Sequence, residues 1–329
     1  MKAWEVGVGS TGIDGLTKTE RPDPAPGPGQ VLVRVRAASL NFRDLAIVNG
    51  KYIAGPVTRE TIPLSDGAGE VVAVGEGVTG FGSGDRVVAT FTQGGPMNAL
   101  GSPLDGMLTE LIALDQDGVL PIPANLTFAE AATLPCAGVT AWNALTEGKR
   151  VRPGDTVVTL GTGGVSLFVL QIAKTAGARV IITSSSDEKL ERARALGADE
   201  TINYVSHGRW EQQVLELTGG QGADLVVDLG GAGTLPHSYE AVAPGGEISL
   251  IGVMTAPEGN LAPYPLMLKG ATLRGIFVGG KALFEGLNKA VEVNDIHPVI
   301  DSSFGFDDAQ EAYQYLRSAK HMGKIVIEI

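Results

Sequence analysis

The chain has 329 residues, of which 43% are hydrophobic and 19% charged, so we expect a globular protein with two domains. The formal net charge of −12 disfavours nucleic acid and anionic membrane surfaces as partners, and no apolar run approaches the roughly 20 residues of a membrane helix. The single cysteine excludes an intramolecular disulfide, and the first residues do not resemble a signal peptide, so we expect a cytoplasmic location.

The first part of the chain, to about residue 120, is predicted to be an irregular, mainly β domain. Short β-rich runs alternate there with turns rich in glycine and proline. The clearest runs cover residues 30–37, 69–74 and 86–90.

From about residue 127, helix-like segments rich in alanine and leucine alternate with apolar, β-branched runs. The runs cover residues 156–160, 179–183, 223–229 and 247–251. Because strands that alternate with helices form βαβ units, this part predicts a doubly wound parallel sheet and an α/β protein. After about residue 265, a helix over 306–319 and a strand over 324–329 are predicted, and that strand could return to the first domain.

The segment 157–166, VVTLGTGGVS, places a glycine-rich turn between an apolar strand and a predicted helix over 167–176. Glycines in this setting permit a tight turn and let backbone N–H groups approach a pyrophosphate at the N-terminus of the helix. Gly161 and Gly163 fill the first two positions of the dinucleotide fingerprint, and Ser166 takes the third. A structural turn without a ligand is the alternative. The candidate residues for this loop are Gly161, Thr162, Gly163, Gly164 and Val165.

The end of the next strand indicates which dinucleotide is bound, because an acidic side chain there would hold the ribose hydroxyls of NAD. In this chain the strand runs into three serines, 184–186, whose hydroxyls can donate to a 2′-phosphate, and Lys189 follows them. NADPH is therefore the predicted cofactor, and the candidate residues for its 2′-phosphate are Ser184, Ser185 and Lys189. If the strand ends later, Asp187 or Glu188 could be an NAD-type acid, although both are more simply N-terminal charges on a helix over 189–196.

Short motifs spread along the chain carry a family resemblance. Besides the glycine loop, they cover residues 40–44 (LNFRD), 66–71 (DGAGEV), 84–87 (GDRV), 134–142 (LPCAGVTAW), 196–198 (LGA), 202–204 (INY) and 323–326 (GKIV). In this order and spacing, they make the whole chain resemble the medium-chain dehydrogenase/reductase superfamily, and within it the zinc-independent quinone oxidoreductase and enoyl reductase branch. The resemblance implies a GroES-like catalytic domain over residues 1–123 and 266–329, with a Rossmann NADPH-binding domain over 124–265 inserted between them.

The resemblance also implies further contacts with the cofactor. In NADPH-using quinone reductases of this family, a lysine and a tyrosine flank the 2′-phosphate at positions that look like Lys189 and Tyr204. Thr140 is implied to lie beside the nicotinamide, and Phe277 lies in a loop that covers the cofactor in relatives, although either could equally be a core residue. Lys324 lies where family members approach the phosphates, and a solvated basic side chain is the alternative.

Zinc-containing relatives hold the catalytic metal with a cysteine, a histidine and a second cysteine. The matching positions in this chain are Asn41, Ser65 and Cys136, so one ligand of three remains. A lone thiolate with two neutral groups is a poor zinc site, and the single cysteine excludes a four-cysteine structural site. The resemblance therefore predicts no metal, and Cys136 is interpreted as a small buried hydrophobic residue.

Without a metal, hydrogen-bond donors must stabilise the oxyanion that forms on the substrate, and a proton source must complete the reduction. Asn41 is the candidate donor, because its amide would face the nicotinamide and could bind a substrate carbonyl; a side chain that caps a local turn is the alternative. Tyr52 resembles the tyrosine proposed to supply a proton in enoyl reductases, with a residue at the rim of a glycine-bounded loop as the alternative.

These residues predict a zinc-independent, NADPH-dependent oxidoreductase that passes a hydride to a quinone or an α,β-unsaturated carbonyl compound. A zinc-free, alcohol dehydrogenase-like carbonyl reductase and a non-catalytic NADPH-binding protein remain as alternatives. The expected partners are a small-molecule substrate and a second copy of the chain, because residues 271–278 match a segment that pairs edge to edge across a two-fold axis in relatives.

Overall fold

The computed structural model describes residues 1–252 and 264–329 of the chain. The chain divides into unit 1, formed by Met1–Val139 and Gly279–Ile329, and unit 2, formed by Thr140–Val278. The boundaries predicted from the sequence, 123/124 and 265/266, both lie earlier in the chain than the boundaries between these units. The second boundary lies later than predicted because the strand Thr272–Gly275 pairs within the sheet of unit 2.

The strands lie in the following order: β1 (Lys2–Val6), β2 (Leu16–Glu20), β3 (Gln30–Ser39), β4 (Asp66–Val74), β5 (Arg86–Ala89), β6 (Leu111–Asp115), β7 (Val119–Pro121), β8 (Thr156–Thr159), β9 (Arg179–Ser184), β10 (Glu200–Asn203), β11 (Ala223–Asp228), β12 (Val242–Leu250), β13 (Thr272–Gly275), β14 (Ile300–Gly305) and β15 (Lys324–Glu328). The α-helices are α1 (Phe42–Val48), α2 (Phe128–Ala131), α3 (Val139–Thr146), α4 (Gly164–Thr175), α5 (Asp187–Ala195), α6 (Trp210–Leu217), α7 (Leu235–Ala241), α8 (Tyr264–Lys269), α9 (Lys281–Val293) and α10 (Ala309–Arg317). None of the helices in the described ranges is long and apolar enough to cross a membrane.

Unit 1 is built on a mainly antiparallel sheet in the order β14-β15-β3-β4-β5-β7, to which β6 adds by pairing with β3. The central strand β3 alternates, with Val31, Val33 and Val35 buried on one face, as expected for a strand with one face on the core. The last strand, β15, pairs antiparallel with β3, so that Val326 lies opposite Ser39. The end of the chain therefore returns to the first unit, which is one of the outcomes that the sequence left open.

Unit 2 contains a parallel sheet in the order β10-β9-β8-β11-β12-β13, with consecutive strands joined through helices. The order runs in opposite directions from β8, which makes the carboxyl ends of β8 and β11 the switch point where such sheets bind ligands. The central residues Val158, Ile181, Val226 and Ile248 are fully buried, because helices cover both faces of a sheet of this kind. The α/β fold, with a mainly β unit and a doubly wound parallel sheet, is as predicted.

The predicted strands of unit 2 begin at the observed residues except for the run 247–251. The observed strand β12 begins five residues earlier, at Val242, and its pairing with β11 shifts register at the start. The stretch Pro244-Gly245-Gly246 has the composition of a turn, so propensity alone ends the strand there. The helix predicted over 306–319 is shorter in the structure, because residues 306–308 form a 3₁₀ turn and α10 covers only Ala309–Arg317.

Candidate nucleotide-binding and substrate-binding sites

The loop between β8 and α4 is the candidate pyrophosphate site. Gly161 has φ of +80°, a left-handed conformation that side chains with a Cβ rarely adopt. A Cβ added at Gly161 or Gly163 would meet no atom within 4 Å, so the space above the loop is open. The loop therefore leaves room for a ligand to approach its backbone.

The N-terminus of α4 is suited to an anion. Gly163 is the N-cap residue, and it has no side chain that could cap the first turn of this twelve-residue helix. The N–H groups of that turn and the helix dipole favour negative charge at this end. Ser166 is fully buried, and its hydroxyl donates to the Leu160 carbonyl at 2.8 Å, which ties the helix to the end of β8.

Two side-chain contacts join this loop to the end of β9. The Gly161 N–H donates to the Thr183 hydroxyl at 3.2 Å, and the hydroxyl oxygens of Thr162 and Ser184 lie 3.5 Å apart. Gly164 opens the helix and Val165 follows it, half-buried. The parallel pairing of β8 with β9 thus brings the predicted pyrophosphate residues and the predicted 2′-phosphate residues together.

The end of β9 carries hydroxyl groups and no carboxylate. Ser184 is the last residue of the strand and is buried, whereas Ser185 is exposed. Ser186 caps α5 by accepting from the Lys189 N–H at 3.3 Å, which puts Lys189, half-buried, in the first turn of that helix. Tyr204 adjoins them, since its N–H donates to the Ser184 carbonyl at 3.1 Å and its side chain is exposed.

The two acids after the serines do not lie at the strand end. Both Asp187 and Glu188 belong to the first turn of α5, where negative charge stabilises the helix. The Asp187 carboxylate also accepts from the Asn203 amide at 2.7 Å. They are N-terminal helix charges, as the simpler interpretation of the sequence expects.

Unit 1 contains a buried polar cluster at one end of three neighbouring strands. Lys324 begins β15 and is 3% exposed, and its ammonium donates to the Leu40 carbonyl at 2.6 Å and to Asn41 Oδ1 at 2.7 Å. Asp66 begins β4 and is fully buried, with its Oδ2 3.9 Å from the ammonium. The Lys324 ammonium is the centre of the cluster. The sequence predicts Lys324 as a cofactor contact.

The carboxylate of Asp66 is surrounded by the residues that match zinc-ligand positions in relatives. The Ser65 hydroxyl donates to its Oδ1 at 2.6 Å, and the Cys136 N–H donates to its Oδ2 at 3.2 Å. Burial raises the pKa of the Asp66 carboxyl, and Lys324, Ser65 and Asn41 oppose this effect. Asp66 begins the family motif of residues 66–71, and its position in the sequence predicts no role for it.

These residues do not fit a zinc ion. Cys136 is half-buried and not fully buried as the sequence predicts. Desolvation of its thiol, followed by the charge of Asp66, raises the pKa of the thiol, which favours the protonated form, whereas zinc requires a thiolate. The Ser65 hydroxyl is engaged with Asp66, and a lysine ammonium already lies beside Asn41. In residues 1–252 and 264–329, no three His, Cys, Asp or Glu side chains are grouped closely enough to hold a metal.

Asn41 is the N-cap residue of α1, and it is fixed at both its backbone and its side chain. The Asp44 carboxylate accepts from the Asn41 N–H at 2.7 Å, and the Asn41 amide oxygen accepts from Lys324. The amide nitrogen Nδ2 is buried and has no hydrogen-bond partner among the described atoms. The Asn41 side chain nevertheless acts on the Asp66 carboxyl, whose pKa it lowers, and a buried donor without a well-formed hydrogen bond is a candidate to bind an oxygen atom of a ligand.

Tyr52 is held by Arg43, a residue to which the sequence assigned no role. The guanidinium carbon lies 4.7 Å from the centre of the Tyr52 ring, and Nε donates to the phenol oxygen at 3.1 Å. Arg43 is buried and also donates to the carbonyls of Leu100 and Ser102. Because the phenol oxygen accepts from a permanent cation, its own hydrogen is available to another acceptor.

Two other predicted residues lie in unit 2. Thr140 is 2% exposed, in the first turn of α3, whereas Phe277 is 59% exposed and is therefore not a core residue. Phe277 precedes Val278, which has φ of +52° and whose carbonyl accepts from the Asn143 amide at 2.6 Å. A β-branched residue rarely adopts this conformation, and Asn143 holds the segment in place.

Comparison with known proteins gives matches to both parts of the chain. Residues 27–124 match the family model of the alcohol dehydrogenase GroES-like domain, and residues 164–293 match that of the zinc-binding dehydrogenases. A zinc-type alcohol dehydrogenase-like protein of Schizosaccharomyces pombe is 44% identical over 97% of this chain and 96% of its own length. A quinone oxidoreductase of Pseudomonas aeruginosa is 34% identical over 92% of each chain.

Solved structures extend the similarity to the fold. The crystal structure of an NAD-dependent alcohol dehydrogenase superimposes with a TM-score of 0.93 at 36% identity and covers all of both chains. A mycobacterial protein in complex with NADPH superimposes with a TM-score of 0.86 at 29% identity, again over the full length of each. The names of these two proteins differ in the cofactor, NAD in one and NADPH in the other.

Proposed function

Since this chain belongs to the medium-chain dehydrogenase/reductase superfamily, we propose that it is a zinc-independent, NADPH-dependent reductase of α,β-unsaturated carbonyl compounds or quinones. Its relatives establish the broader class, an oxidoreductase that uses a nicotinamide cofactor. The observation that carries the narrower proposal is the buried Asn41 amide, whose Nδ2 has no partner in the described residues while its oxygen is held by a cation.

The cofactor part of the proposal rests on unit 2. The open glycine loop and the uncapped N-terminus of α4 fit a pyrophosphate. Preference for NADPH is supported by the hydroxyls at the end of β9 and by Lys189 and Tyr204 beside them, because these groups can donate to a 2′-phosphate. A carboxylate at the strand end would repel that phosphate, and none lies there.

The substrate part rests on unit 1. When bound, NADPH supplies a hydride. The Asn41 Nδ2–H donates to the carbonyl oxygen of the substrate and stabilises the negative charge that develops there as the hydride adds to the β-carbon. The electron pair of the C=C bond moves onto the oxygen as an enolate and returns to the α-carbon when a proton arrives. The Tyr52 hydroxyl is proposed to supply that proton, since Arg43 donates to its oxygen and leaves its hydrogen free to transfer.

The proposed independence from zinc is supported by the same cluster. Asn41, Ser65 and Cys136 lack the charge and the free lone pairs of a zinc site, and the Lys324 ammonium supplies a positive charge in its place. Several relatives carry zinc in their names, and the activity of this chain is proposed not to require it.

A substrate panel tests the function. Oxidation of NADPH and of NADH would be followed with enones, quinones and simple aldehydes, with the purified chain and with Gly161→Val as the control. Valine at φ of +80° strains the loop and fills the open space above it, so activity that survives in this variant comes from a contaminant.

We expect NADPH oxidation with enones or quinones. Turnover of aldehydes alone would favour the alcohol dehydrogenase-like reductase, an alternative supported by the names of two of the relatives. Tight NADPH binding without any turnover would favour a non-catalytic binding protein.

A homodimer is also part of the proposal. The strand β13 ends the parallel sheet and pairs only with β12 within the described ranges, which leaves one edge for another strand. An unpaired edge is a liability that a symmetric dimer removes. Sedimentation at micromolar concentration would test it, and a monomer would contradict it. The cytoplasmic location stays a prediction that cell fractionation can test.

A further inference from the structure

The side chain of Lys324 is buried in unit 1 and surrounded by oxygen atoms. Its ammonium lies 2.6 Å from the Leu40 carbonyl, 2.7 Å from Asn41 Oδ1 and 3.9 Å from Asp66 Oδ2. An ammonium has three N–H donors and no acceptor, so each of these oxygens faces a possible donor. Two of its three N–H groups are therefore engaged in hydrogen bonds, and the Asp66 carboxylate already serves as the counter-ion that a cofactor phosphate would otherwise be.

This arrangement determines how the Asn41 amide is turned. Only the oxygen of an amide can accept from an ammonium, so Oδ1 must face Lys324 and Nδ2 must face the other way. The Asp44 carboxylate holds the backbone of the same residue through its N–H at 2.7 Å. With both ends fixed, Nδ2 can donate in one direction; it is buried and makes no well-formed hydrogen bond in the described part of the chain, and the Asn41 side chain lowers the pKa of the neighbouring Asp66 carboxyl.

The register of the sheet makes this contact a property of the fold. Val326 of β15 lies opposite Ser39 of β3, so two residues further along, Lys324 lies opposite Asn41. Asp66 lies opposite the same Ser39 on the other side of β3. Any change of register by one residue would turn Lys324 to the other face of the sheet and away from Asn41.

We propose that Lys324 is a positioning residue for the reduction: it holds and polarises the Asn41 amide so that Nδ2–H donates to the substrate oxygen. The proposal rests on the proposed function and adds to it the group that orients the donor. A cation on the amide oxygen strengthens the N–H on the same amide as a donor, because hydrogen bonds in a chain polarise one another. The role differs from the contact with cofactor phosphates that the family resemblance implies for Lys324.

The test compares Lys324→Met, Asn41→Ala and the double variant, each saturated with NADPH. Methionine keeps the length of the side chain and removes its charge. We expect Lys324→Met to lower kcat on an enone about ten- to a hundredfold, and the NADPH dissociation constant to change by less than about twofold. Asn41→Ala should lower kcat by at least as much, and adding Lys324→Met to it should have little further effect, because the lysine acts through the amide.

Two further variants separate positioning from folding. Lys324→Met leaves the Asp66 carboxylate buried without its cation, so the pair Lys324→Met with Asp66→Asn restores neutrality, and it should stay as slow as Lys324→Met. Lys324→Arg keeps a cation and should recover part of kcat. Thermal unfolding of each variant reports whether it is folded.

A spectroscopic readout needs no turnover. The side-chain amide of Asn41 can be assigned in a ¹H–¹⁵N spectrum by its loss in Asn41→Ala, and Lys324→Met should shift it strongly. An unchanged amide resonance would overturn the proposal. So would a raised NADPH dissociation constant with unchanged kcat, which is the pattern of a phosphate ligand, or additive effects of the two substitutions.

Failure of the proposed function gives a different pattern. If the wild-type chain reduces no enone or quinone, the function is wrong, and the amide resonance still decides whether Lys324 orients Asn41. If Lys324→Met is slow and Asn41→Ala is not, the lysine does not act through Asn41 and the inference is overturned.

Discussion

Replacing Asp44 by asparagine should change how the stability of the protein depends on pH. Asp44 is fully buried at the start of α1, and only one of its carboxylate oxygens has a hydrogen-bond partner among the described residues. Burial raises the pKa of its carboxyl to about 6, against the opposing effect of Arg43. The folded protein therefore holds the proton of Asp44 more tightly than the unfolded chain does.

The sign and size of the change in stability with pH follow from this difference in proton affinity. Stability from a raised carboxyl pKa is complete below the ordinary value of 3.8 and is lost as pH rises through about 6. Each pKa unit is worth about 1.4 kcal/mol, so the full loss is about 3 kcal/mol. Asparagine cannot ionise, so Asp44→Asn should gain about 2 to 3 kcal/mol relative to the wild type between about pH 4 and pH 7.5.

Urea unfolding at several pH values, without cofactor, would measure this gain. The change of side chain adds an offset that does not vary with pH, so only the pH-dependent part is compared. Asp117→Asn is the control, because that carboxylate is 96% exposed and the substitution removes the same charge. A difference between Asp44→Asn and wild type that is the same at both ends of the pH range would refute the reasoning.

Three further predictions concern the cofactor, the proton and the metal. Lys189→Ala should raise the NADPH dissociation constant about tenfold, since a charge-assisted contact of roughly 1.5 kcal/mol is lost, and leave that of NADH nearly unchanged. Lys320→Ala, at an exposed lysine, is the control, and equal effects of Lys189→Ala on both cofactors would contradict the assignment. Tyr52→Phe should lower the turnover of enones and affect that of quinones less, because the oxygens of a reduced quinone take protons from water. Unchanged turnover of enones would contradict proton donation and mean that Tyr52 only packs against its neighbours. Activity should survive treatment with a chelator, with substoichiometric zinc by elemental analysis, whereas one zinc per chain and loss of activity on its removal would disprove metal independence.

The nucleotide-binding half of the molecule follows closely from local sequence. The loop around Gly161 and Gly163 was recognisable because its chemistry depends on residues that are adjacent in the chain. The interpretation of Asp187 and Glu188 as helix charges depended only on where β9 ends, which its apolar run gave to within one residue. The beginning of β12 was missed, because glycine and proline indicate a turn, whereas Val242, before them, pairs with Ala223 of β11 ahead of a register irregularity.

The candidate substrate site in unit 1 depended on tertiary structure. The sequence identified Asn41 and Tyr52 as candidates through a family resemblance, but it gave neither a partner, and it assigned no role to Arg43 or Asp66. Lys324 and Asn41 are 283 residues apart in the chain, and their contact exists because β15 pairs with β3 in a particular register. Local patterns decide which segments form strands and loops, whereas strand pairing over long separations decides which buried charges meet, and in this protein that pairing places a cation on the amide proposed to bind the substrate.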